Sequence, residues 1–438
     1  MNRRHFLAAA TVGLAAPALA RAQSGQQGPL KSAKASFRLV TLSHDLEQPW
    51  SMAFLPDGRM LITERPGRLR VFADGKLERS PLAGVPQVHT GGQAGLLDVC
   101  LHPRFAQNRV LYLAYISPGS GGPTATVARA ELGDSGLRGT TVIFEALPRR
   151  QGNLNLGARI VFDRAGLMYV SCGDRFQMQL AQDLRDCAGK IVRLRDDGSI
   201  PPDNPFVGRP NVRPEIFSWG HRNPQGLAMH PATGRIWEVE HGPKGGDELN
   251  VLKAGANYGW PRVTYGTNYD GSIITNTRHL DGMEDALRTW VPSISPCGLT
   301  FYTGDKFPGW RGSLFTGALS AYALFRIEVD GEHYVSEERL IEGRLPYIRD
   351  VRQGPDGCIY VAVDASPSPV ALAEQLADRA RLDACIEELE AERQTMIRTA
   401  FYEGTTYQEL AERTHSPLGT VKSWIRRALM QLRACLER

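Results

Sequence analysis

The amino-acid sequence predicts an all-β six-bladed β-propeller followed by a small all-α helix-turn-helix domain. Three observations support this fold class. An apolar strand, a glycine-containing turn and a second apolar strand recur between residues 36 and 364. The recurrence falls at intervals of roughly 45 to 80 residues, near or above the period of a propeller blade. Near residue 366 the sequence changes abruptly to Ala, Leu, Glu and Arg with helical spacing.

The repeated unit is the main evidence for the propeller. Asp57-Gly58 and Asp356-Gly357 lie between alternating apolar positions, which is typical of tight hairpins because glycine tolerates positive φ. A β-sandwich would show shorter and more even spacing, and weak helical periodicity disfavours a βα barrel. The six occurrences are 52–63, 101–115, 160–171, 227–238, 307–318 and 351–363.

The N-terminal segment has the layout of a cleaved secretory signal. Arg3-Arg4 precede an apolar run from Phe6 to Ala20, followed by small residues around Ala22. The paired arginines indicate the twin-arginine route, so residues 1–22 are predicted to be a twin-arginine-type signal peptide. The apolar run is shorter than the roughly 20 residues that a membrane span requires. We therefore expect a periplasmic protein with no integral membrane segment in the mature chain.

Charge and cysteine usage give little support to other functions. A formal net charge of +4 over 438 residues does not indicate a global attraction to nucleic acid or membranes. The seven cysteines are scattered without a close CxxC pair, which gives no support to a zinc site. Buried free thiols are expected. Formation of a disulfide is the alternative if the protein is in an oxidising compartment.

Several ordered motifs in the predicted propeller point to one family of enzymes. They are GQAGLLD at 92–98, AQD at 181–183 with GKIVRL at 189–194, SWGHRNPQG at 218–226, EHGPKGGDELN at 240–250, NYGWP at 257–261 and RDV at 349–351. Together they resemble the soluble pyrroloquinoline quinone (PQQ)-dependent aldose sugar dehydrogenases over about residues 36–364. The resemblance implies PQQ and calcium as cofactors and an aldose sugar as substrate.

The residue types suit the cofactor that this resemblance implies. PQQ is a planar tricarboxylate, which forked cations such as Arg222 and Arg349 and amides such as Gln93 and Asn223 recognise well. The resemblance adds Ser293 to these cofactor-binding residues. The alternative for each isolated charge is an ion pair between blades.

The resemblance also implies a metal site and catalytic residues. Calcium prefers oxygen ligands, and the backbone carbonyls of Gly242 and Pro243 are expected to hold it. Asp247 is expected close to the cofactor, and Arg222 is expected to take part in catalysis.

One position departs from the family pattern. In the family, a histidine before a Gly-x-Arg-[Ile/Leu]-Val strand is the general base, whereas LNLGARIV at 154–161 places Asn155 there. An amide can hydrogen-bond the sugar but cannot accept its proton at neutral pH, and loss of a general base costs about 10²- to 10⁴-fold in rate. His89 and His241 are candidate substitutes, although neither aligns with this position, and Ser320 replaces a lysine found in some members. A catalytically impaired PQQ- and sugar-binding propeller is therefore one alternative function.

The last blade is predicted to be truncated. After Asp364 the family pattern would continue with one more strand, but this chain enters Ser-Pro-Ser-Pro at 366–369. A missing strand leaves unpaired backbone groups at the sheet edge. Residues 36–364 are thus the predicted propeller, 365–380 the linker and 381–438 the helical domain.

The tail carries a second set of motifs. LDACIEEL at 382–389, AFYEG at 400–404, TYQELAER at 406–413 and SPLGTVKSWIRRA at 416–428 resemble region 4 of extracytoplasmic-function sigma factors, which reads promoters. Thr406 and Glu409 have capping-box spacing. An apolar stripe on the last helix leaves other side chains free for phosphates and bases. The predicted stripe consists of Val421, Ile425, Ala428, Leu429, Leu432 and Leu436. The predicted DNA-binding residues are Thr420, Lys422, Ser423, Arg426 and Arg427. An amphipathic hairpin with solvated arginines is the alternative.

The sequence therefore predicts an exported enzyme that oxidises the C1 hydroxyl of an aldose to the lactone by hydride transfer to PQQ with calcium. It would need an external electron acceptor and would carry a fused sigma-like domain. The alternative from a different class is a cytoplasmic transcription protein with a sensor propeller, whose partners are promoter DNA and RNA polymerase.

Overall fold

The computed structural model describes residues 29–364, 385–401 and 407–436. The predicted signal peptide, the predicted linker and Thr406 lie outside these residues. The chain divides into two compact units, residues 1–365 and 366–438.

The first unit is a β-propeller, as predicted. A short pair, β1 (Leu30–Lys31) and β2 (Ser36–Phe37), precedes it. Twenty further strands form five antiparallel four-stranded sheets, each a blade built from consecutive strands. The first three blades contain β3 (Pro49–Phe54), β4 (Met60–Glu64), β5 (Arg68–Ala73), β6 (Lys76–Leu77); β7 (Leu96–Leu101), β8 (Val110–Ser117), β9 (Thr124–Leu132), β10 (Leu137–Glu145); and β11 (Gly157–Phe162), β12 (Met168–Cys172), β13 (Lys190–Leu194), β14 (Ile216–Trp219).

The remaining strands continue the same order around the ring. They are β15 (Pro224–Met229), β16 (Ile236–Glu240), β17 (Asp247–Val251), β18 (Arg288–Trp290); β19 (Pro296–Phe301), β20 (Leu314–Ala318), β21 (Leu324–Asp330), β22 (His333–Leu340); and β23 (Ile348–Gln353), β24 (Ile359–Val363). A short helix α1 (Phe105–Asn108) and 3₁₀ turns at Met178–Gln182 and Pro308–Trp310 lie in connections.

The predicted count of six blades is wrong for the described residues, which form five complete blades. The sixth sheet has two strands, β23 and β24. The repeat pattern detects a pair of strands with its turn, and a two-stranded sheet carries the same signal as the first half of a complete blade. First strands of successive sheets pack side by side, and β23 packs against both β19 and β3, so the ring is closed.

Buried charges hold the partial blade in the ring. Asp350 on β23 accepts a hydrogen bond from the Met52 backbone N–H on β3 (3.1 Å) and pairs with Arg159 on β11 (3.0 Å). Arg352 pairs with Asp350 (3.0 Å) and with Asp98 on β7 (3.3 Å). These charged groups tie the inner strands of four sheets together, while apolar clusters fill the space between neighbouring blades.

The second unit is helical, as predicted. It contains α2 (Ala391–Phe401), α3 (Tyr407–Arg413) and α4 (Leu418–Leu436). A single apolar core joins them, formed by Cys385, Ile386, Leu389, Ile397, Leu410, Ala411, Val421, Ile425, Ala428 and Leu432. In the described parts of the chain, no helix combines the length and apolar character needed to cross a membrane.

Two cysteines of this unit were expected to be free thiols but are joined in a disulfide. Cys385 and Cys435 form a disulfide across a separation of 50 residues. The scattered spacing concealed this pair because helix packing, rather than local sequence, brings the two ends together. The cysteines of the propeller remain free, three of them buried: Cys100, Cys172, Cys187, Cys297 and Cys358.

Candidate functional site

Connections from several blades converge on one buried polar network. In an antiparallel meander, the start of a blade's first strand and the ends of its second and fourth strands lie at the same end of the sheet. Asn155 precedes β11, Asp174 follows β12, and Arg222 lies between β14 and β15. This topology brings together side chains that are far apart in the sequence.

Asn155 and Asp174 are directly bonded. The Asn155 side-chain Nδ2 donates to Asp174 Oδ1 (2.8 Å), and the Asn155 backbone N–H donates to Gln93 Oε1 (2.8 Å). Trp260 Nε1 donates to the other oxygen of Asp174 (2.8 Å). Asp174 is 1% exposed, and burial raises the pKa of its carboxyl above the ordinary value, against the opposing charge of Arg222. The Asn155 amide is therefore held by a buried carboxyl group.

Arg222 is buried, and its backbone N–H donates to the Glu240 carboxylate, but its guanidinium has no acidic hydrogen-bond partner among the described residues. Its guanidinium donates to the carbonyls of His241 (3.0 Å) and Gly242 (2.8 Å) and to the Tyr269 hydroxyl (3.3 Å). The neighbouring Asn223 accepts hydrogen bonds at Oδ1, which leaves its Nδ2 as the donor for a ligand.

Arg349 adds a second cation to this region. Its Nη1 lies 3.6 Å from Cys297 Sγ, and its Nε has no hydrogen-bond partner among the described residues. Burial, followed by the charges of Arg349 and Arg222, lowers the pKa of His241 to about 3. The neutral imidazole is engaged with the Pro296 carbonyl through Nε2 (2.9 Å). The Arg349 guanidinium therefore has an unsatisfied donor, and His241 is not placed as a free base.

Asp247 fixes the loop that contains Gly242. Its carboxyl accepts hydrogen bonds from the Gly242 N–H (2.8 Å), the Ser293 hydroxyl (2.8 Å) and the Ser295 N–H (2.7 Å). Burial raises the pKa of Asp247 to about 6, opposed by these donors. A side chain at Gly242 would approach the Gly245 carbonyl oxygen to 2.3 Å, so only glycine fits. Asp247 and Ser293 therefore act on the loop geometry.

Other predicted residues join the same network. The Ser320 hydroxyl donates to the Ser293 carbonyl (3.0 Å), where the family's lysine would stand. His89 Nε2 lies 3.0 Å from Asn153 Oδ1, two residues before Asn155.

Two guanidinium groups of this region fit an anionic ligand. Arg222 and Arg349 both lie close enough to His241 for their charges to lower its pKa, and the Nε of Arg349 is a buried donor without a partner among the described residues that a carboxylate would satisfy. Burial, followed by the charge of Arg349, also lowers the pKa of Arg65, whose guanidinium lies 3.8 Å from the Asp364 carboxylate. These donors suit a ligand that carries carboxylates.

A buried cluster that the sequence analysis missed lies beside this site. One ligand atom each of His221, Glu238 and Glu240 lie within 4.8 Å of one another. Burial and the Glu240 charge raise the pKa of Glu238 far above its ordinary value, and its Oε1 has no partner among the described residues. Alternation along β16 places both glutamates on one face, a signal that an E-x-E search would detect. The oxygen-rich donor set suits a hard cation.

Sequence reasoning also missed Asp174, Trp260, Phe176 and Tyr269. Asp174 and Trp260 are 86 residues apart. The available signal was local: Asp174 follows Gly173, where a side chain would approach the Asn155 carbonyl oxygen to 2.2 Å.

The second unit exposes a row of polar side chains on α4. Lys422, Ser423, Arg426 and Arg427 are exposed and Thr420 is half-buried, whereas the apolar stripe faces the core. Arg427 Nη2 donates to the Ser423 hydroxyl (3.2 Å). Leu429 and Leu436, expected in the stripe, are exposed.

Comparisons with known proteins agree with both sets of motifs. Residues 46–372 match the family model described as glucose/sorbosone dehydrogenase. The chain is 43% identical over 343 residues to aldose sugar dehydrogenase YliI of Escherichia coli (strain K12), covering 77% of this chain and 92% of that relative. It is similar to a crystal structure of glucose dehydrogenase, with 46% identity, a TM-score of 0.73 and coverage of 74% and 96%. The PQQ-bound aldose sugar dehydrogenase of Streptomyces coelicolor is 27% identical, with a TM-score of 0.63 and coverage of 75% and 94%.

The tail has separate relatives. Residues 379–432 match the family model described as sigma-70, region 4. The ECF RNA polymerase sigma factor RpoE of Cereibacter sphaeroides is 34% identical over 99 residues, or 23% of this chain. The chain spans about half the length of that relative, 52%.

Proposed function

Since the chain belongs to the glucose/sorbosone dehydrogenase family over residues 46–372 and carries a sigma-70 region 4 domain over residues 379–432, we propose that its first unit is an exported, PQQ- and calcium-dependent aldose dehydrogenase. It oxidises the sugar C1 hydroxyl to the lactone and passes electrons to an external acceptor in the periplasm. A relative whose structure is described as PQQ-bound supports the choice of cofactor.

One observation carries this proposal. The charges of Arg222 and Arg349 both act on His241, and no carboxylate among the described residues hydrogen-bonds to either guanidinium. A buried or half-buried guanidinium without a carboxylate hydrogen-bond partner is costly, so the site favours an anionic ligand. PQQ, when bound, supplies the acceptor for the hydride from C1.

The residues of the chain divide into two tasks around the cofactor. Arg222, Arg349 and the Asn223 amide would hold its carboxylates and oxygens, with Gln93 supporting the Asn155 backbone. The carbonyls of Gly242 and Pro243 would hold calcium, for which carbonyl oxygens are suitable ligands. The Gly242 carbonyl also accepts a hydrogen bond from the Arg222 guanidinium (2.8 Å).

Proton transfer needs a different base from that of the family. The Asn155 Nδ2 is engaged with Asp174, so its Oδ1 is the atom that would accept a hydrogen bond from the C1 hydroxyl as the sugar binds. That oxygen orients the hydroxyl but does not take the proton. For the transfer we propose that the hydroxyl turns its hydrogen to Asp174 Oδ2, which among the described residues accepts a hydrogen bond from Trp260 alone, and that this oxygen takes the proton as hydride leaves C1. Burial raises the pKa of Asp174, which suits a proton acceptor better than an ordinary aspartate. Because a carboxylate is a weaker base than the histidine of the family, we expect slow turnover.

Reconstitution tests this function. The full chain is loaded with PQQ and calcium, and glucose-dependent dye reduction is compared with that of Arg349→Gln. The control is Arg339→Gln, because Arg339 is exposed and its guanidinium pairs with the exposed Glu342 (2.8 Å). Slow activity that Arg349→Gln removes and Arg339→Gln retains supports the proposal. A wild-type protein that binds no PQQ in the presence of calcium contradicts it.

A specific observation favours a second function for the tail. The exposed side chains Lys422, Arg426 and Arg427 lie on the face of α4 opposite its buried stripe, as a groove-binding helix requires. We propose that this unit binds promoter DNA of the −35 type, with RNA polymerase as partner if the chain works in the cytoplasm.

Fluorescence anisotropy with a promoter duplex tests DNA binding by this unit. Arg426→Ala should weaken binding and reduce its salt dependence. Cell fractionation decides which compartment contains the chain.

A further inference from the structure

Two exposed aromatic side chains face each other beside the candidate site. Phe176 follows β12, and Tyr269 lies in the connection between β17 and β18. Their ring centroids are 6.2 Å apart and their planes differ by 15°. Phe176 is 54% exposed and Tyr269 is 61% exposed. Large apolar side chains clustered at a protein surface usually mark a binding site. The aromatic rim is defined as these two residues.

We propose that the aromatic rim binds the ring of a neutral aldose sugar and that Phe176 determines how tightly the sugar is held. This inference rests on the proposed function in assigning the sugar as substrate. It adds a specificity residue that the family motifs do not contain.

The backbone holds Phe176 outward in an uncommon conformation. Arg175 and Phe176 both have φ of 60°, in the left-handed region that residues with side chains seldom adopt. The Arg175 guanidinium anchors the turn by donating to the carbonyls of Gly152 (2.7 Å) and Pro123 (3.2 Å). The Phe176 N–H donates to Asp174 Oδ1 (2.8 Å). Strain maintained by surrounding contacts is typical of ligand-binding positions.

The aromatic rim lies directly beside the groups assigned to the reaction. Phe176 is bonded through its backbone to Asp174, and Tyr269 accepts a hydrogen bond from Arg222 at its hydroxyl (3.3 Å). The aromatic rim is therefore connected to the Asn155–Asp174 pair through Phe176 and to Arg222 through Tyr269.

The chemistry of the aromatic rim separates the sugar from the cofactor. A sugar ring has hydroxyl groups around its edge and apolar C–H faces, and such a face packs on an aromatic ring without desolvating polar groups. The cofactor is anionic and is directed to Arg222 and Arg349. The aromatic rim should therefore contribute to sugar affinity and not to cofactor affinity.

Direct binding of glucose to the cofactor-free full chain tests the inference by calorimetry or saturation-transfer NMR. Phe176→Gly removes the ring, and glycine adopts positive φ freely, so the fold should be retained. We expect the glucose dissociation constant to rise about 10-fold, the size of effect typical of one aromatic contact. Tyr265→Ala is the matched control, because Tyr265 is also exposed but its ring is covered by the Arg278 guanidinium at 5.2 Å.

The outcomes separate this inference from the proposed function. Weaker glucose binding by Phe176→Gly, with unchanged PQQ binding and with normal binding by Tyr265→Ala, supports the aromatic rim. Equal glucose binding by wild type and Phe176→Gly, or no glucose binding by wild type, overturns it. If wild type binds glucose through Phe176 but reduces no dye when loaded with PQQ and calcium, the inference stands and the proposed oxidation fails. A rise only in the KM for the electron acceptor would overturn the assignment to sugar.

Discussion

The side-chain amide of Asn155 donates a 2.8 Å hydrogen bond to the buried carboxyl group of Asp174. The sequence motif predicts that Asn155 stands where the family has a histidine base, and the hydrogen bond shows that a carboxyl group lies within reach of a side chain at this position. We therefore propose that Asp174 would orient a histidine placed at residue 155.

Replacing Asn155 by histidine should raise turnover. An imidazole at this position would donate one ring N–H to Asp174 and leave the other nitrogen to take the sugar proton. We expect Asn155→His to raise kcat by about 10²-fold or more, since a general base contributes about 10² to 10⁴. Dye reduction with glucose, PQQ and calcium measures it. Asn153→His is the control, because Asn153 contacts His89 rather than Asp174. An unchanged kcat for Asn155→His would show that proton transfer does not limit turnover.

Asp174→Asn should strongly reduce the activity of the natural chain. An amide cannot accept the proton that we assign to Asp174, so kcat should fall about 10²-fold. In the Asn155→His background the loss should be smaller, because the imidazole then takes the proton and Asp174 only orients it. This double-mutant cycle separates direct from supporting roles. Equal losses in both backgrounds would contradict proton transfer to Asp174, and circular dichroism checks that both variants are folded.

The parts of this fold that could be predicted are those specified by local chemistry. Turns such as Asp57-Gly58 predict hairpins because a tight turn requires positive φ, which glycine adopts more readily than other residues. Gly58 has φ of 90° in the structure. The number of complete blades could not be predicted, since a two-stranded sheet and the first half of a complete blade give the same signal of two strands and a turn. The two-stranded sheet stays in the ring through Asp350 and Arg159, a pair separated by 191 positions that no local pattern relates.

The candidate site divides in the same way. Arg222 and Asn223 were found because they occur within one continuous motif. Asp174 was missed because its partners, Asn155 and Trp260, belong to different connections. Their proximity follows from ring closure, which no single segment encodes. The unsatisfied Nε donor of Arg349 could not be predicted either, because it depends on which side chains surround the guanidinium in the described structure.

Lys190 makes the stability of the propeller depend on pH. Its ammonium group is buried on β13 and donates to the carbonyls of Leu180 (2.9 Å) and Ala188 (2.6 Å). Burial lowers the pKa of Lys190 from 10.5 to about 8, against the charge of Asp186. The unfolded chain therefore holds this proton to higher pH than the folded chain. The folded state gains stability as pH rises from 8 to 10.5, by about 3 kcal/mol from this group.

Lys190→Met should remove this dependence. The difference in free energy of unfolding between wild type and variant, measured in urea at pH 7.5, 9 and 10, should move in favour of wild type as pH rises. Lys253→Met is the control, because Lys253 is exposed and pairs with Glu284. A difference for Lys190→Met that stays constant over this range would show that the ammonium group is not desolvated.

The Cys385–Cys435 disulfide should stabilise the helical unit. It closes a loop between residues 50 positions apart, for which chain-entropy arguments give about 4 kcal/mol. Cys385→Ser should therefore increase hydrogen exchange across α4 in the full chain, whereas Cys358→Ser, which removes a free thiol of the propeller, should leave α4 unchanged.

Thiol counting in the natural chain checks the same disulfide and bears on its compartment. Five cysteines are free in the structure and the sequence contains seven, so alkylation of the denatured, unreduced chain should add five groups. Reduction before alkylation should raise the number to seven. Since disulfides persist in the periplasm and are reduced in the cytoplasm, endogenous protein with five reactive thiols would have passed through an oxidising compartment with its helical unit attached. Seven reactive thiols without reduction would instead place the working chain in the cytoplasm, where α4 could meet DNA.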